Sequence, residues 1–300
     1  MSERISVRIP ATSANLGCLF DSAALALSLY LELHVTRRGD NAVNVRYSGV
    51  NPERVPADAT NLVATTIRET LESWGHPHGF DLEIQNEIPV GVGLGSSAAA
   101  IVGGLAAARW LADRALFDEE LITLATRREG HPDNVAAAWL GGLTVAVQLR
   151  ERVLAFSCPV PETLQLVLVV PSYALPTEKA RKVLPPSYSR ADAVHNLQRA
   201  VVVASQFFSG KTDLRHDFFE DRWHQPYRAP LVPGLSDVLS LQLSDLLGVC
   251  LSGAGPSILA FVPRGGNASA AGELIRQTLR RNGVEADARV LAADNQGAKG

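Results

Sequence analysis

Residues 89–99 read Pro-Val-Gly-Val-Gly-Leu-Gly-Ser-Ser-Ala-Ala and follow Phe80–Ile84, whose alternating polarity predicts a strand. The alanine-rich residues after this stretch predict a long helix. Gly91, Gly93 and Gly95 lack a Cβ, so the backbone can adopt positive φ and approach an anion closely. The free amides of the helix and the positive end of its dipole favour the same anion. The stretch therefore predicts a phosphate-binding loop, and a tight turn without a ligand is the alternative.

The loop matches neither of two familiar phosphate-binding patterns. The Walker pattern ends in Gly-Lys-Ser/Thr, and no lysine lies between residues 89 and 99. The dinucleotide pattern G-x-G-x-x-G requires a glycine where this chain has Ser96. The loop is therefore of another type.

The length of 300 residues favours two domains. Strand and helix patterns are mixed in both halves without a regular βαβ alternation, which predicts an α+β fold. The proline-bearing residues 158–161 predict the boundary, with domains at residues 1–157 and 158–300. Near the amino terminus, Ile5–Ile9 alternates and predicts a strand that ends at Pro10.

Composition excludes several classes of protein. The net charge of −3 gives no basic face for nucleic acid. Three scattered cysteines without a C-x-x-C spacing argue against a disulfide framework or a zinc site. The amino terminus lacks the apolar core of a signal peptide, and no apolar run reaches the roughly 20 residues that span a bilayer. We therefore expect a soluble cytoplasmic protein that binds neither nucleic acid nor a membrane.

Three motifs, in the expected order, resemble those of the GHMP kinases (galactokinase, homoserine kinase, mevalonate kinase and phosphomevalonate kinase). Residues 89–99 resemble the ATP loop of that family. Pro10–Gly17 is followed by Phe20-Asp21, and Leu251–Ser257 reads Leu-Ser-Gly-Ala-Gly-Pro-Ser. The resemblance implies ATP and Mg²⁺ as cofactors. It also implies the two-domain GHMP kinase fold, with an N-terminal ribosomal-protein-S5-domain-2-like domain and a C-terminal ferredoxin-like α/β-plait domain.

Within the family, the sequence is similar to the homoserine kinases. Glu129–Val135 (Glu-Gly-His-Pro-Asp-Asn-Val) and His224–Arg228 (His-Gln-Pro-Tyr-Arg) match segments of that branch. The resemblance implies ATP-dependent phosphorylation of the hydroxyl of L-homoserine to O-phospho-L-homoserine and ADP, in threonine biosynthesis. Cys18-Leu19 stand where the branch usually has Pro-Gly, and this departure alters the turn that aims Asp21.

The resemblance also implies roles for individual residues. The ATP-binding residues would be Asn61, Pro89, Val90, Gly91, Val92, Gly93, Leu94, Gly95, Ser96, Ser97, Ala98 and Ala99. The substrate-binding residues would be Asn15, Asp21, His131, Thr177, Arg181 and Arg228. The Mg²⁺ ligands would be Ser97 and Glu129, and the catalytic residues would be Glu129, Asp133 and Asn134.

The chemistry of these side chains agrees with an amino-acid alcohol as substrate. A carboxylate such as Asp21 suits the ammonium group, and Arg181 and Arg228 suit the carboxylate. Asn15, Asp133 and Asn134 can hold the hydroxyl end. The motifs contain no lysine–aspartate pair, so we expect them to orient the hydroxyl without a strong general base.

Several alternatives remain open. Arginines such as Arg181 and Arg228 are by default surface residues, and Glu129 alone would be a solvated helix end. The chain could be another GHMP kinase acting on a mevalonate-type or sugar substrate. It could also be a catalytically silent relative that binds a metabolite, although the intact glycine loop and Glu129 argue against this. A homodimer is left open.

Overall fold

The computed structural model describes residues 4–211 and 213–298. Within them, the amino-terminal half contains a six-stranded sheet and four helices. The strands are β1 (Arg4–Asn15), β2 (Leu19–Arg37), β3 (Val43–Gly49), β4 (Phe80–Asn86), β5 (Leu143–Gln148) and β6 (Val153–Cys158). The helices are α1 (Leu62–Ser73), α2 (Ser96–Leu111), α3 (Asp118–Glu129) and α4 (Asp133–Leu140).

Strand β2 organises this sheet. It is 19 residues long, and one edge pairs with β1 in an antiparallel hairpin. The other edge pairs with β5 through residues 23–25 and with β4 through residues 31–37. Strand β3 runs parallel to β4, and α1 connects the two. The turn between β1 and β2, which carries the first sequence motif, therefore lies at one end of a long hairpin.

Strand β1 is longer than its alternating pattern predicts. The prediction that it ends at Pro10 is wrong, because β1 continues to Asn15. Among the described strands, β1 pairs only with β2, and the ladder shifts register between Pro10 and Ala11. A proline at a bulge of an edge strand removes no ladder hydrogen bond. The extension carries the first motif to the end of the sheet.

Helix α2 is buried along most of its length, as its alanine-rich sequence permits. Gly103 lies against Ile9 and Leu33 of the sheet, and Gly104 lies against Thr66 of α1. A Cβ at Gly103 would come within 2.6 Å of a Leu33 methyl carbon, and one at Gly104 within 2.7 Å of Thr66 side-chain carbons. These small residues let α2 lie between the sheet and α1, and the packing fixes where its amino terminus emerges.

The carboxy-terminal half contains a second, antiparallel sheet. Its strands are β7 (Leu164–Pro171), β8 (Gly248–Leu251), β9 (Ile258–Pro263) and β10 (Ala286–Leu291). Its helices are α5 (Thr177–Lys182), α6 (Arg190–Phe208), α7 (Gln225–Arg228), α8 (Leu235–Leu239) and α9 (Ala268–Arg281), with 3₁₀ turns at His216–Phe219 and Ala229–Leu231. No helix in the described ranges is both long and apolar enough to cross a lipid bilayer.

The strand order of this second sheet is β10-β7-β9-β8, which is the order of a ferredoxin-like plait. Helices α8 and α9 cover one face, where Leu235 and Ile275 share a core with Val167. Helix α6 packs on the opposite face, and its Phe207 ring lies 6.2 Å from the Phe261 ring of β9. The predicted α+β fold is confirmed.

The residues after β10 return to the amino-terminal half. The backbone of Asp294 donates to the carbonyl of Ala26 at 3.0 Å and accepts from the amide of Gly142 at 2.7 Å. Further along, the amide of Ala298 donates to the carbonyl of Ala138 at 2.9 Å. The domain boundary between residues 157 and 158 stays a prediction. Residues 294–298 lie beyond it in sequence but pack against the amino-terminal half.

The side chain of Asp294 anchors this return, and we expect its removal to destabilise the protein. It accepts from the hydroxyl of Tyr30 at 3.0 Å and from the amides of Gln296 and Gly297 at 2.8 and 2.7 Å. Asp294→Ala should lower the free energy of unfolding by about 2 kcal/mol, because three donors lose a charged acceptor. Urea unfolding checks this. Asp287→Ala, at an exposed position of β10, is the control, and equal effects would contradict the anchoring role.

Candidate active site

A cavity of about 250 Å³ lies where the glycine loop, the β1–β2 turn and the carboxy-terminal motif meet. Most of the predicted site residues line it. The lining residues are Ala14, Asn15, Asp21, Val90, Gly91, Gly93, Leu94, Gly95, Ser96, Ser97, Glu129, His131, Asp133, Asn134, Thr177, Arg181, Arg228, Gly253 and Ala254. Both halves of the chain therefore build one site.

The three loop glycines have positive φ, but their surroundings differ. A Cβ at Gly93 would lie 2.2 Å from the carbonyl oxygen of Ser252, and one at Gly95 would lie 1.9 Å from Thr12 Oγ1. At Gly91 the nearest atom would be the Ala174 Cβ, at 3.2 Å. Gly93 and Gly95 are therefore required by the packing of the loop against the rest of the protein. Gly91 is the glycine that leaves the most open space.

Ser97 and Glu129 meet at the amino terminus of α2. The Ser97 hydroxyl donates to Glu129 Oε2 at 2.7 Å. Helix α3 ends at Glu129, and Gly130, with φ of 93°, turns the chain towards α4. Burial raises the pKa of the Glu129 carboxyl above its ordinary value, and the Ser97 hydrogen bond only partly opposes this shift. A half-buried carboxylate whose hydrogen-bond partner is a neutral hydroxyl is suited to a cation.

Residues His131–Asn134 form a connected polar group at the start of α4. Asp133 is 1% exposed, and its Oδ1 lies 2.8 Å from His131 Nδ1. The same oxygen accepts from the amide of Asn134 at 2.7 Å. Burial lowers the pKa of His131, but the hydrogen bond and charge of Asp133 outweigh it, so the net shift is upward. On the other side, Thr12 Oγ1 donates to Asn134 Oδ1 at 2.7 Å.

The β1–β2 turn holds Asp21 through Asn15. Both residues have positive φ, 52° and 73°, which is costly for residues with a side chain. Asn15 Oδ1 accepts from the amide of Asp21 at 3.0 Å, and Asn15 Nδ2 donates to the carbonyl of Gly253 at 2.9 Å. Cys18 and Leu19, which replace the usual Pro-Gly, are 1% and 4% exposed and belong to the core. The altered turn thus still directs Asp21 to the cavity.

Arg181 and Arg228 both line the cavity, but they have different hydrogen-bond partners. Arg181 donates from Nη1 and Nη2 to both carboxylate oxygens of Asp21, at 2.9 and 2.8 Å. Arg228 is 1% exposed and donates to the carbonyls of Ala180 and Gly253 at 3.1 and 3.0 Å. Burial, followed by the charge of Arg181, lowers the pKa of Arg228 to about 10. The default expectation of a surface residue is wrong for Arg228.

The positive charge of Arg228 is not paired with a carboxylate by a hydrogen bond in the described residues. Its hydrogen-bond partners in the described residues are two carbonyls and the imidazole of His224, and none carries a negative charge. A buried guanidinium without an anionic partner is costly, and an anion in the cavity it lines would remove that cost.

Comparison with known proteins assigns the chain to a family. The model of the GHMP kinases N terminal domain matches residues 61–142, and that of GHMP kinases C terminal matches residues 210–281. A homoserine kinase of Solibacter usitatus is 42% identical over 281 residues, which cover 92% of this chain and 90% of that protein. A homoserine kinase of Desulfitobacterium hafniense is 40% identical over 296 residues, 98% of this chain and 99% of that protein. The chain belongs to the GHMP kinase family.

A solved structure agrees with this assignment. The crystal structure of homoserine kinase from Cytophaga hutchinsonii superposes on this GHMP kinase with a TM-score of 0.88. The two chains are 28% identical, and the match covers 100% of this chain and 98% of the other.

A second cavity of this GHMP kinase, about 200 Å³, adjoins the first and is lined mainly by apolar residues. The two share Val90, Ser96 and Ser97. Asn61 lines the second cavity, but its side chain caps α1 by accepting from the amide of Val63 at 2.9 Å. Four of the predicted nucleotide-binding residues line neither cavity: Pro89, Val92, Ala98 and Ala99.

Some site residues had no assigned role from the sequence. Thr12 lies in the first motif of this GHMP kinase and holds Asn134. Gly253 lies in the third motif, and its carbonyl accepts from both Asn15 and Arg228. Both motifs marked the right segments, but a backbone carbonyl has no signature in a sequence.

Proposed function

We propose that this GHMP kinase transfers the γ-phosphoryl group of ATP to the hydroxyl of L-homoserine, giving O-phospho-L-homoserine and ADP, and that it serves threonine biosynthesis. The observation that carries the proposal is the buried guanidinium of Arg228, which shares the cavity under the glycine loop with Asp21 and has no carboxylate among its hydrogen-bond partners in the described residues. An α-amino acid offers a carboxylate for the former and an ammonium for the latter. The names of the relatives described above support the same substrate.

The two adjoining cavities suit a nucleotide. The apolar second cavity has the character of a base-binding pocket, and the amides at the start of α2 can receive phosphates. Asn61 would shape the base pocket and contribute no side-chain hydrogen bond, because its amide group is already used within the protein. Gly91 would leave room for the phosphates.

Ser97 and Glu129 would hold Mg²⁺. They supply one hydroxyl and one carboxylate, and Mg²⁺ is commonly held by one or two carboxylates together with substrate phosphates. When bound with ATP, the ion neutralises charge on the phosphates during transfer. The residues of the chain contribute alignment, the amides of the loop and the dipole of α2.

The substrate hydroxyl would be oriented by Asn134 and its neighbours. Asp133 Oδ1 is occupied by the amide of Asn134 and by His131, so this oxygen is poorly placed to take a proton. In our proposal, the hydroxyl oxygen forms a bond to the γ-phosphorus while the bond between the γ-phosphorus and the β,γ-bridging oxygen breaks. ADP leaves with that oxygen. The hydroxyl proton then leaves late, to a phosphate oxygen or to water.

We expect Asp133→Asn and Asp21→Asn each to lower kcat by less than about 100-fold, because a true general base contributes about 10²- to 10⁴-fold. Asp21→Asn should act mainly through the KM for L-homoserine, since it removes the charge that faces the ammonium group. Steady-state kinetics on both variants checks this. A loss of several orders of magnitude in kcat with an unchanged KM, for either variant, would identify a base.

Coupled ADP release with L-homoserine, mevalonate or galactose tests the function itself. We expect turnover with L-homoserine well above the other two substrates. Preference for mevalonate or galactose would favour another GHMP activity. ADP release that no small alcohol stimulates would favour a silent, metabolite-binding relative.

Location and assembly are part of the same proposal. We place the protein in the cytoplasm, because Cys18, Cys158 and Cys250 are free thiols, which is the usual state of cysteines in that reducing compartment. The homodimer stays a prediction, and light scattering coupled to size-exclusion chromatography would test it.

A further inference from the structure

His224 connects the two parts of the site that would recognise an amino acid. Its Nδ1 lies 3.0 Å from Nη1 of Arg228, and its Nε2 lies 2.8 Å from the carbonyl oxygen of Gly17. Gly17 belongs to the turn between β1 and β2, four residues before Asp21 of β2, and Arg228 lies one helical turn after His224. The imidazole is fully buried. One ring therefore spans from the arginine to the turn that holds the aspartate.

The hydrogen-bond partners of His224 determine its protonation state. A carbonyl oxygen can only accept, so Nε2 must carry the hydrogen that it donates to Gly17. A guanidinium can only donate, so Nδ1 must offer its lone pair to Arg228. The ring is therefore the neutral Nε2–H tautomer. Burial supports this assignment, since it lowers the pKa of His224 against the opposing effect of Asp221.

Asp221 fixes the backbone that carries His224. Its Oδ2 accepts from the amides of His224 and Gln225 at 2.9 and 2.6 Å. Its Oδ1 accepts from the amide of Trp223 at 2.8 Å and from Asn196 Nδ2 at 2.7 Å. The three amides are in or beside the first turn of α7, and Asn196 ties Asp221 to α6. The direction of the imidazole is thus set by a buried, fully used carboxylate.

We propose that His224, held in place by Asp221, is a positioning residue that aims Arg228 at the substrate carboxylate and sets its spacing from Asp21. The proposal rests on the proposed function and adds to it a determinant of specificity for α-amino acids. Phe20 completes the arrangement, because its ring stacks on His224 at 5.2 Å and lies 5.4 Å from Arg228 Cζ. Without His224 to hold it, the Arg228 side chain would sample several rotamers and would lose that freedom each time it bound a carboxylate. The hydrogen bond to His224 therefore lowers the entropic cost of binding.

A pair of variants and a pair of substrates test the proposal. His224→Leu removes the acceptor, whereas His224→Asn keeps an oxygen near the place of Nδ1. The substrates are L-homoserine and 3-aminopropan-1-ol, which lacks the carboxylate. We expect His224→Leu to lower kcat/KM for L-homoserine by about 30-fold, mostly through KM, because one hydrogen bond to a charged group is lost. His224→Asn should recover to within about five-fold of the wild type.

The substrate without a carboxylate, 3-aminopropan-1-ol, distinguishes a loss of Arg228 positioning from a general loss of enzyme activity. Its kcat/KM, or its inhibition constant against L-homoserine, should be the same in the wild type and in both variants. His195→Asn, which alters a histidine of α6 that does not contact Arg228, is the control for packing. Equal losses on both substrates, or no loss on L-homoserine with His224→Leu, would overturn the proposal.

Nuclear magnetic resonance provides a readout that does not depend on activity. In protein labelled with ¹⁵N-histidine, the ring signals of His224, identified by their absence from His224→Asn, should report a neutral Nε2–H tautomer at neutral pH. An imidazolium or an Nδ1–H tautomer would overturn the proposal even in an active enzyme. A wild type that ignores L-homoserine but shows the expected tautomer would instead refute the proposed function and leave the arrangement around Arg228 in place.

Discussion

Glu129→Gln lowers kcat by about 1,000-fold or more in our expectation, while the protein stays folded. The amide oxygen of glutamine can still accept from Ser97, which lies 2.7 Å from Glu129, but the negative charge for a cation is lost. Lewis-acid stabilisation of a phosphoryl transfer is worth several kcal/mol, and about 1.4 kcal/mol corresponds to a factor of ten in rate. The measurement is kcat at saturating ATP over a titration of Mg²⁺.

A matched control lies on the same helix. Glu120 pairs with Arg114 at 3.2 Å on the protein surface and does not line the cavity. Glu120→Gln should change kcat and stability little, because surface ion pairs contribute about 0–1 kcal/mol. If Glu129→Gln keeps more than about a tenth of the activity of the wild type, Glu129 does not hold a catalytic metal.

The raised pKa of Glu129 adds a pH dependence to this result. Burial disfavours the ionised form of Glu129 in the folded protein, so the folded state is more stable when this carboxyl is protonated. That stability is present in full below the pKa of the unfolded state and is lost as the pH rises through the raised pKa of the folded state. Without Mg²⁺ at neutral pH, Glu129→Gln should therefore melt at a higher temperature than the wild type. The Mg²⁺ concentration for half-maximal activity of the wild type should rise as the pH falls towards that pKa.

The second large effect concerns the glycine loop. Gly93→Ala should lower the free energy of unfolding by about 3 kcal/mol, because positive φ costs a residue with a Cβ about 1–2 kcal/mol and the clash with the Ser252 carbonyl adds to this. We also expect the KM for ATP to rise, since relief of the clash requires one of the two loops to move. Urea unfolding and ATP kinetics on the same variant check both effects.

Gly91→Ala separates the two causes. Gly91 has φ of 77°, close to the 83° of Gly93, but its added Cβ would meet only the Ala174 Cβ at 3.2 Å. This variant should therefore lose only about 1 kcal/mol, the cost of the backbone conformation. Equal losses in stability for Gly91→Ala and Gly93→Ala would show that contact with Ser252 is unimportant.

The sequence predicted the segments of the site better than their contacts. The glycine loop, Asp21 and the residues from Glu129 to Asn134 were expected at one site. Seven residues of the loop line one cavity together with Asp21, Glu129, His131, Asp133 and Asn134. Their residue types and spacing carry that information, because short motifs report local geometry. The fold class followed in the same way, from the mixture of strand and helix patterns.

Long-range pairing could not be predicted in the same way. Asp21 and Arg181 were both expected near the substrate, but the sequence did not indicate that they also bind each other, across 160 positions. The burial of Arg228 depends on His224 and on carbonyls from two other segments. Neither carbonyls nor burial leaves a pattern in the residues concerned. The prediction that β1 ends at Pro10 was wrong for a related reason. Only the pairing of β1 shows that the strand requires no hydrogen-bond donor at this position, where proline has none.

The contact between Gly93 and Ser252 limits how this protein can be recombined. The glycine loop comes from the first half of the chain, and the surface on which it rests comes from the second, with Ser252 Oγ donating to the carbonyl of Gly93 at 2.7 Å. A chimera that takes each half from a different relative would join two surfaces that were never fitted to each other. Exchange of substrate preference between relatives therefore requires the two loops to be transplanted together.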